Sequence, residues 1–176
     1  MIEKFKEIAE SLNDGKLQKT ANSLYSKYKP TVSKELQKAN EFAYELYFKS
    51  YSNESIKVCD LLGLEIFNGN HNLWTWIQSA ILLKCWILLN SDNEKYKNEI
   101  EKNIEIINAT MYFGNNELVK NTNSAVRKRR LNGVLLCYDN IANAIKENDK
   151  KSEITYRIIH FKELLFIYFL GGSELF

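Results

Sequence analysis

One proline, Pro30, and seven glycines are all the strong backbone breakers in a chain of 176 residues. That scarcity constrains the fold more than any other feature. A β-sandwich or barrel needs a tight turn every ~8–12 residues, and Gly and Pro supply most of the dihedral angles those turns require. The chain cannot punctuate itself that often. With 45% hydrophobic and 12% aromatic residues it can still build a substantial core. Its length fits one ordinary domain. The expectation is an all-α single domain over residues 1–176.

Apolar spacing near 3.6 residues runs through the whole chain. The first helix spans about 2–12, on Ile2, Phe5, Ala9 and Leu12, and breaks at Asn13-Asp14-Gly15. A second, about 16–28, must end before Pro30. A third covers about 33–51. A fourth covers 54–68, with Asn53 as its N-cap and Gly69 beyond its end. The fifth, 73–90, is capped by Asn72. Ser91 and Glu94 match a capping box for the sixth, about 93–112, which stops at Gly114. The seventh is long, about 116–148. The eighth, about 152–170, is capped by Ser152 and stopped by Gly171-Gly172. Short turns between helices imply antiparallel neighbours. The architecture is seven or eight antiparallel helices in stacked hairpins, either a short α-solenoid or an irregular bundle.

Charge excludes some partners. Twenty-four Lys and Arg against 22 Asp and Glu give a net charge of +2, and neither half of the chain is biased. General binding to nucleic acid wants a clearly basic face. Abundant Lys, Asn, Ile and Tyr reflect the codon usage of an AT-rich genome. Cys59, Cys85 and Cys137 are odd in number and far apart, each in an apolar run. They read as buried thiols in a reducing compartment, not as a disulfide framework. The N-terminal MIEKFKEIAE lacks the apolar core of a signal peptide. Leu73–Leu89 is the most apolar run, but it contains Thr75, Gln78, Ser79 and Lys84 and falls short of the ~20 residues of a membrane span. A soluble, cytoplasmic protein with no membrane contact is expected.

No chemistry stands out. His71 lies in a turn. His160 has Tyr156 and Glu163 one helical turn away on either side, which reads as a half-exposed histidine beside a carboxylate. There is no phosphate-binding loop, no metal-binding helix and no Cys-x-x-Cys pair. The expectation is no catalytic residue, no metal and no cofactor.

Two helices are informative. On the fifth, Trp74, Ile77, Ile81, Cys85 and Leu88 form one face, and Trp76, Ala80, Leu83 and Ile87 form a second nearly opposite. A helix apolar on two faces is sandwiched between layers. Trp86 falls in the remaining, mostly polar sector. It is either covered by a third neighbour or exposed as an aromatic anchor. On the seventh, an apolar stripe of Val134, Tyr138, Ile141 and Ile145 continues toward the N-terminus as Asn116, Lys120, Asn123, Arg127 and Arg130. Leu118, Val119, Thr122, Val126, Leu136 and Cys137 form a second face that is expected to stay buried. About 33 residues make a helix of roughly 50 Å, longer than neighbours of roughly 28 Å, so one end overhangs. Three of the four arginines sit at 127, 129 and 130, and Arg grips carboxylates bidentately. The overhang is either a solvated end or a site for an acidic partner. It carries no aromatic platform for RNA bases.

Leu46-Tyr47-Phe48-Lys49, followed by Glu54-Ser55-Ile56, resembles the turn of a tetratricopeptide repeat, where an aromatic pair precedes the turn and a small residue opens the second helix. The turn is about one residue short, Tyr51 stands where the repeat has glycine, and the closing proline is absent. Hairpin starts near 33, 72 and 116 fall in the spacing of helical repeats. The resemblance implies protein or peptide binding without chemistry. In general character the chain is similar to bacterial immunity proteins that neutralise toxin domains. That likeness implies a cognate toxin domain with an acidic patch as partner, contacted by Lys120, Asn123, Arg127, Arg130 and Trp86. A general peptide-binding scaffold is the alternative reading, and an RNA-binding helical protein a second.

Overall fold

The computed structural model describes residues 3–68, 74–113 and 124–169; within these, the side chains of 67, 68, 74, 93, 108–113, 124–131 and 165–169 are not described. Among the described residues the chain forms eight α-helices and no strand. They are α1 (Glu3–Ser11), α2 (Gly15–Lys27), α3 (Ser33–Phe48), α4 (Ser52–Leu64), α5 (Trp74–Ser91), α6 (Asn93–Phe113), α7 (Ser124–Lys146) and α8 (Lys150–Phe169). A 3-10 turn, Glu65–Asn68, extends α4. The all-α architecture of stacked helix pairs is as expected. The expected start of the seventh helix, and its residues before Ser124, lie outside the described residues. So do Asn72 and Gly69, Gly114, Gly171 and Gly172.

The contacts divide the chain into two compact units, residues 1–103 and 104–176. In the first unit α1 packs on α2 and on α4, α2 on α3, and α3 on α4, which closes a ring of four helices. Phe5 and Ile8 from α1, Leu17 from α2, Leu36 and Phe42 from α3 and Leu62 from α4 are sealed from solvent at its centre. Each contributes about 1.5–3 kcal/mol by leaving water. α5 packs across α3 and α4. Both of its apolar faces are buried, Ile77, Ile81, Cys85 and Leu88 on one and Ala80, Leu83 and Ile87 on the other. The sandwiched position read from the sequence is what the structure has. All three cysteines are free and buried.

Side-chain hydrogen bonds link α3 to α5. Trp76 Nε1 donates to Ser33 Oγ at 3.2 Å, the Tyr44 and Ser79 hydroxyls meet at 3.3 Å, and Trp86 Nε1 donates to Tyr47 Oη at 3.1 Å. Numbers rise together on both helices, so α3 and α5 run parallel, with antiparallel α4 packed on both. This is the arrangement of first helices in successive hairpins of a solenoid. The four-helix ring before it is bundle-like.

In the second unit α7 and α8 form an antiparallel hairpin. Val134, Cys137, Ile141 and Ala144 are buried on α7, and Glu153, Ile154 and Ile158 on α8. α7 continues through Gly133, beside which the Glu163 side chain of α8 stands at ordinary contact distance, 3.5 Å from where a Cβ would lie.

Both tight hairpins use one turn. Tyr51 N–H bonds the Leu46 carbonyl while Ser50 N–H bonds that of Tyr47; Asp149 and Asn148 repeat this on Ala144 and Ile145. Ser50 and Asn148 are left-handed, at φ 69° and 57°. These are Schellman turns built without glycine. They displace the expected caps. α4 begins at Ser52 after Tyr51, with no side-chain cap, so Asn53 is inside the helix. Ser91 belongs to α5 and bonds the Ile87 carbonyl. Asp92 caps α6 through Lys95 N–H instead. Asp149, not Ser152, caps α8, holding Ser152 through its N–H and its hydroxyl.

Candidate functional site

The residues read from the sequence as partner contacts fall on both units. Lys120 and Asn123 lie outside the described residues. Arg127 and Arg130 belong to the first turns of α7, and their side chains are not described. Trp86 lies on α5. It is half-buried, and its indole N–H is engaged by Tyr47. α3 is therefore the neighbour that covers part of it.

Trp86 belongs to an aromatic row. Tyr47 and Phe48 ring centroids stand 5.5 Å apart, and Tyr44 and Phe48 6.2 Å, spacings at which tilted rings attract. Burial pushes the Tyr44 hydroxyl up to about 12, against the opposing hydrogen bond from Ser79. It stays a neutral donor and acceptor at any physiological pH. Tyr47, Phe48 and Trp86 each keep part of their surface open, and Leu89, one turn beyond Trp86, is 47% exposed. Anchored tyrosine and tryptophan rings with open edges have the composition of an interface hot spot.

A groove of about 510 Å³ runs between α2 and α3. Leu24 and Phe42 line its base, and Lys16, Lys19, Glu35, Lys38, Glu41 and Glu45 line its sides. Lys16 and Glu45 close one end with an ion pair at 3.3 Å. The walls largely neutralise each other, so the groove favours no net charge.

His160 lies on α8, against α7. Its ring meets Tyr138 edge-on, centroids 4.5 Å apart, and its Nε2 is buried with no hydrogen-bond partner among the described residues. Burial, and the Arg157 charge beside it, hold its pKa below the ordinary histidine value. Sequence reasoning also missed a buried ion cluster in the first unit. Lys84, 9% exposed, places Nζ 2.6 Å from both Asp60 of α4 and Glu99 of α6. Burial alone would depress this amine; the two carboxylates outweigh it, and its pKa is raised. An ammonium held this firmly is a structural cross-brace, not a base or nucleophile. No group of three His, Cys, Asp or Glu among the described residues is placed to hold a metal ion. No helix among them is long and apolar enough to cross a membrane.

On α7 the stripe read from the sequence splits. Val134 and Ile141 face the hairpin core, while Tyr138 and Ile145 are 57% and 54% exposed. Leu136, expected to stay buried, is 61% exposed; Cys137 beside it is buried.

A family model matches residues 2–176. The chain belongs to the DUF6707 family. That family is described as one of unknown function. No curated protein and no solved structure matches the chain, so the reading of this DUF6707 member rests on its own residues.

Proposed function

We propose that the protein is a non-enzymatic, cytoplasmic protein-binding module, and that within this class it acts as a bacterial immunity protein, covering a cognate toxin domain. The observation that carries the binding reading is the aromatic row on α3 and α5. Tyr47 and Trp86 hold each other by a hydrogen bond between parallel helices, so a partner meets rings that lose little freedom on docking. The exposed Leu89 extends the row. The arginine-bearing first turns of α7 supply complementary charge for an acidic partner, which speeds association and selects against basic surfaces. The parallel course of α3 and α5, with antiparallel α4 packed on both, supports the alternative, a scaffold for short peptides.

The test is co-expression with the toxin domain encoded beside the gene. The immunity reading expects growth rescue, lost in Trp86→Ala and in the Arg127→Glu/Arg130→Glu double variant while circular dichroism stays native. Full rescue by both variants sinks the assigned surface. Lack of any rescue by the wild-type chain, with peptide binding retained, sinks the immunity reading and leaves the scaffold.

A further inference from the structure

The groove between α2 and α3 has walls of opposite charge. α2 contains no acidic residue and lines its side with Lys16 and Lys19. α3 lines the other side with Glu35, Glu41 and Glu45, and with one cation, Lys38. Most of these groups cancel within the protein. Lys16 pairs with Glu45 at 3.3 Å, and Lys38 with Glu35 at 3.0 Å. Lys19 and Glu41 remain, and neither makes an ion pair among the described residues.

These two charges share one layer of the groove. The first turn of α2 meets the last turn of α3 in the Lys16–Glu45 pair, so the two helices run antiparallel. Lys19 follows Lys16 by three positions and Glu41 precedes Glu45 by four, one helical turn in from that pair on each wall. The floor between the walls is apolar, with Leu24 and Phe42 sealed at 3% and 1% exposure. Gln37 Nε2 donates to Glu41 Oε1 at 2.8 Å. That bond holds the carboxylate in place without cancelling its charge, and engages only one of its oxygens. On the facing wall the Thr20 hydroxyl donates to the Lys16 carbonyl, so its oxygen keeps lone pairs for a ligand N–H.

We infer that this groove binds a short zwitterionic peptide, its carboxylate on Lys19 and its ammonium on Glu41. A polyanion meets repulsion from the glutamate wall and a polycation from the lysine wall, so the groove selects against both. A ligand with one charge of each sign satisfies both walls and adds no net charge. The volume of about 510 Å³ lies within the range of small-ligand sites, about 300–1,000 Å³. Lys19 and Glu41 are both exposed, so each contact is worth little and binding is weak, in the millimolar range. The site shares no residue with the aromatic row, and the inference does not rest on the immunity reading.

The test is a titration of the isotope-labelled full chain with trialanine at low, fixed salt, from ~0.1 to ~20 mM, read by backbone amide shifts. Saturable shifts are expected at Thr20, Ser23 and Phe42. Blocking either end of the probe, as N-acetyl-trialanine or as trialanine amide, should weaken binding by about threefold. Lys19→Glu and Glu41→Lys should each weaken it at least about fivefold, because each replaces an attraction by a repulsion. The double swap Lys19→Glu/Glu41→Lys should restore binding to within about twofold, because the peptide turns end for end to meet the exchanged walls. Both positions are exposed, so the variants keep the fold, checked by circular dichroism. A groove whose amides trialanine does not shift overturns the inference. Binding unmoved by the single reversals overturns it too, as does a double swap no better than the single ones.

Discussion

The Lys84 brace gives the sharpest energetic prediction, because its members differ in exposure. The ammonium is nearly buried, at 9%, whereas the side chains of Asp60 and Glu99 are each 44% exposed. Deleting the two carboxylates, as Asp60→Ala/Glu99→Ala, strands a desolvated cation. Removing the partners of a buried charge costs about 3–5 kcal/mol. Deleting the cation, as Lys84→Met, strands two groups that water already reaches. What is lost there is about 0.2–1 kcal/mol per half-exposed pair, offset by no longer desolvating the amine, and Met refills the volume of the lysine stem. Lys84→Met should therefore cost about 1 kcal/mol or less. The two variants should differ by about 2–4 kcal/mol, which at a urea slope of about 2 kcal/mol/M separates their midpoints by about 1–2 M. Urea unfolding followed at 222 nm measures both. Equal midpoints, or a lower one for Lys84→Met, would refute the reasoning, since either means the ammonium does not depend on these carboxylates.

Ser50→Gly removes a left-handed strain of about 1–2 kcal/mol against the extra chain entropy of glycine, about 0.5–1 kcal/mol, and should raise stability by about 0.5–1 kcal/mol. Asn148→Gly should gain less, because Asn tolerates that conformation; a loss of stability in both would contradict the turn assignment. His160 has its pKa lowered from 6.5 by burial and by Arg157, so the unfolded chain binds its proton more readily. Its contribution is then full above about pH 6.5 and is lost as pH falls through the folded value. His160→Gln should flatten the decline of the urea midpoint between pH 7 and 5, and an unchanged slope would remove this histidine from the acid response.

Helix positions were legible in the sequence because apolar spacing is a local record of burial. Helix starts were less so, for a physical reason visible at Asp149. Its N–H closes the Schellman turn ending α7, on the Ala144 carbonyl, and its carboxylate caps α8. One residue ends one helix and begins the next. Without a glycine to mark the turn, Ser152 and Asn53 looked like better caps than they are. Lys84 was legible only as a polar interruption of an apolar run. Its partners lie 24 and 15 positions away on other helices, and no local pattern connects them.

The α7 face shows where periodicity stops being sufficient. Residues 134, 137, 141 and 144 and residues 135, 138, 142 and 145 have identical spacing one position apart, and both sets are apolar. Hydrophobicity alone would bury the second, which contains leucine, tyrosine and isoleucine. The structure buries the first. The partner helix decides: Ile154 and Ile158 of α8 are buried in the hairpin, and which α7 stripe they cover depends on residues that the periodicity of α7 does not contain.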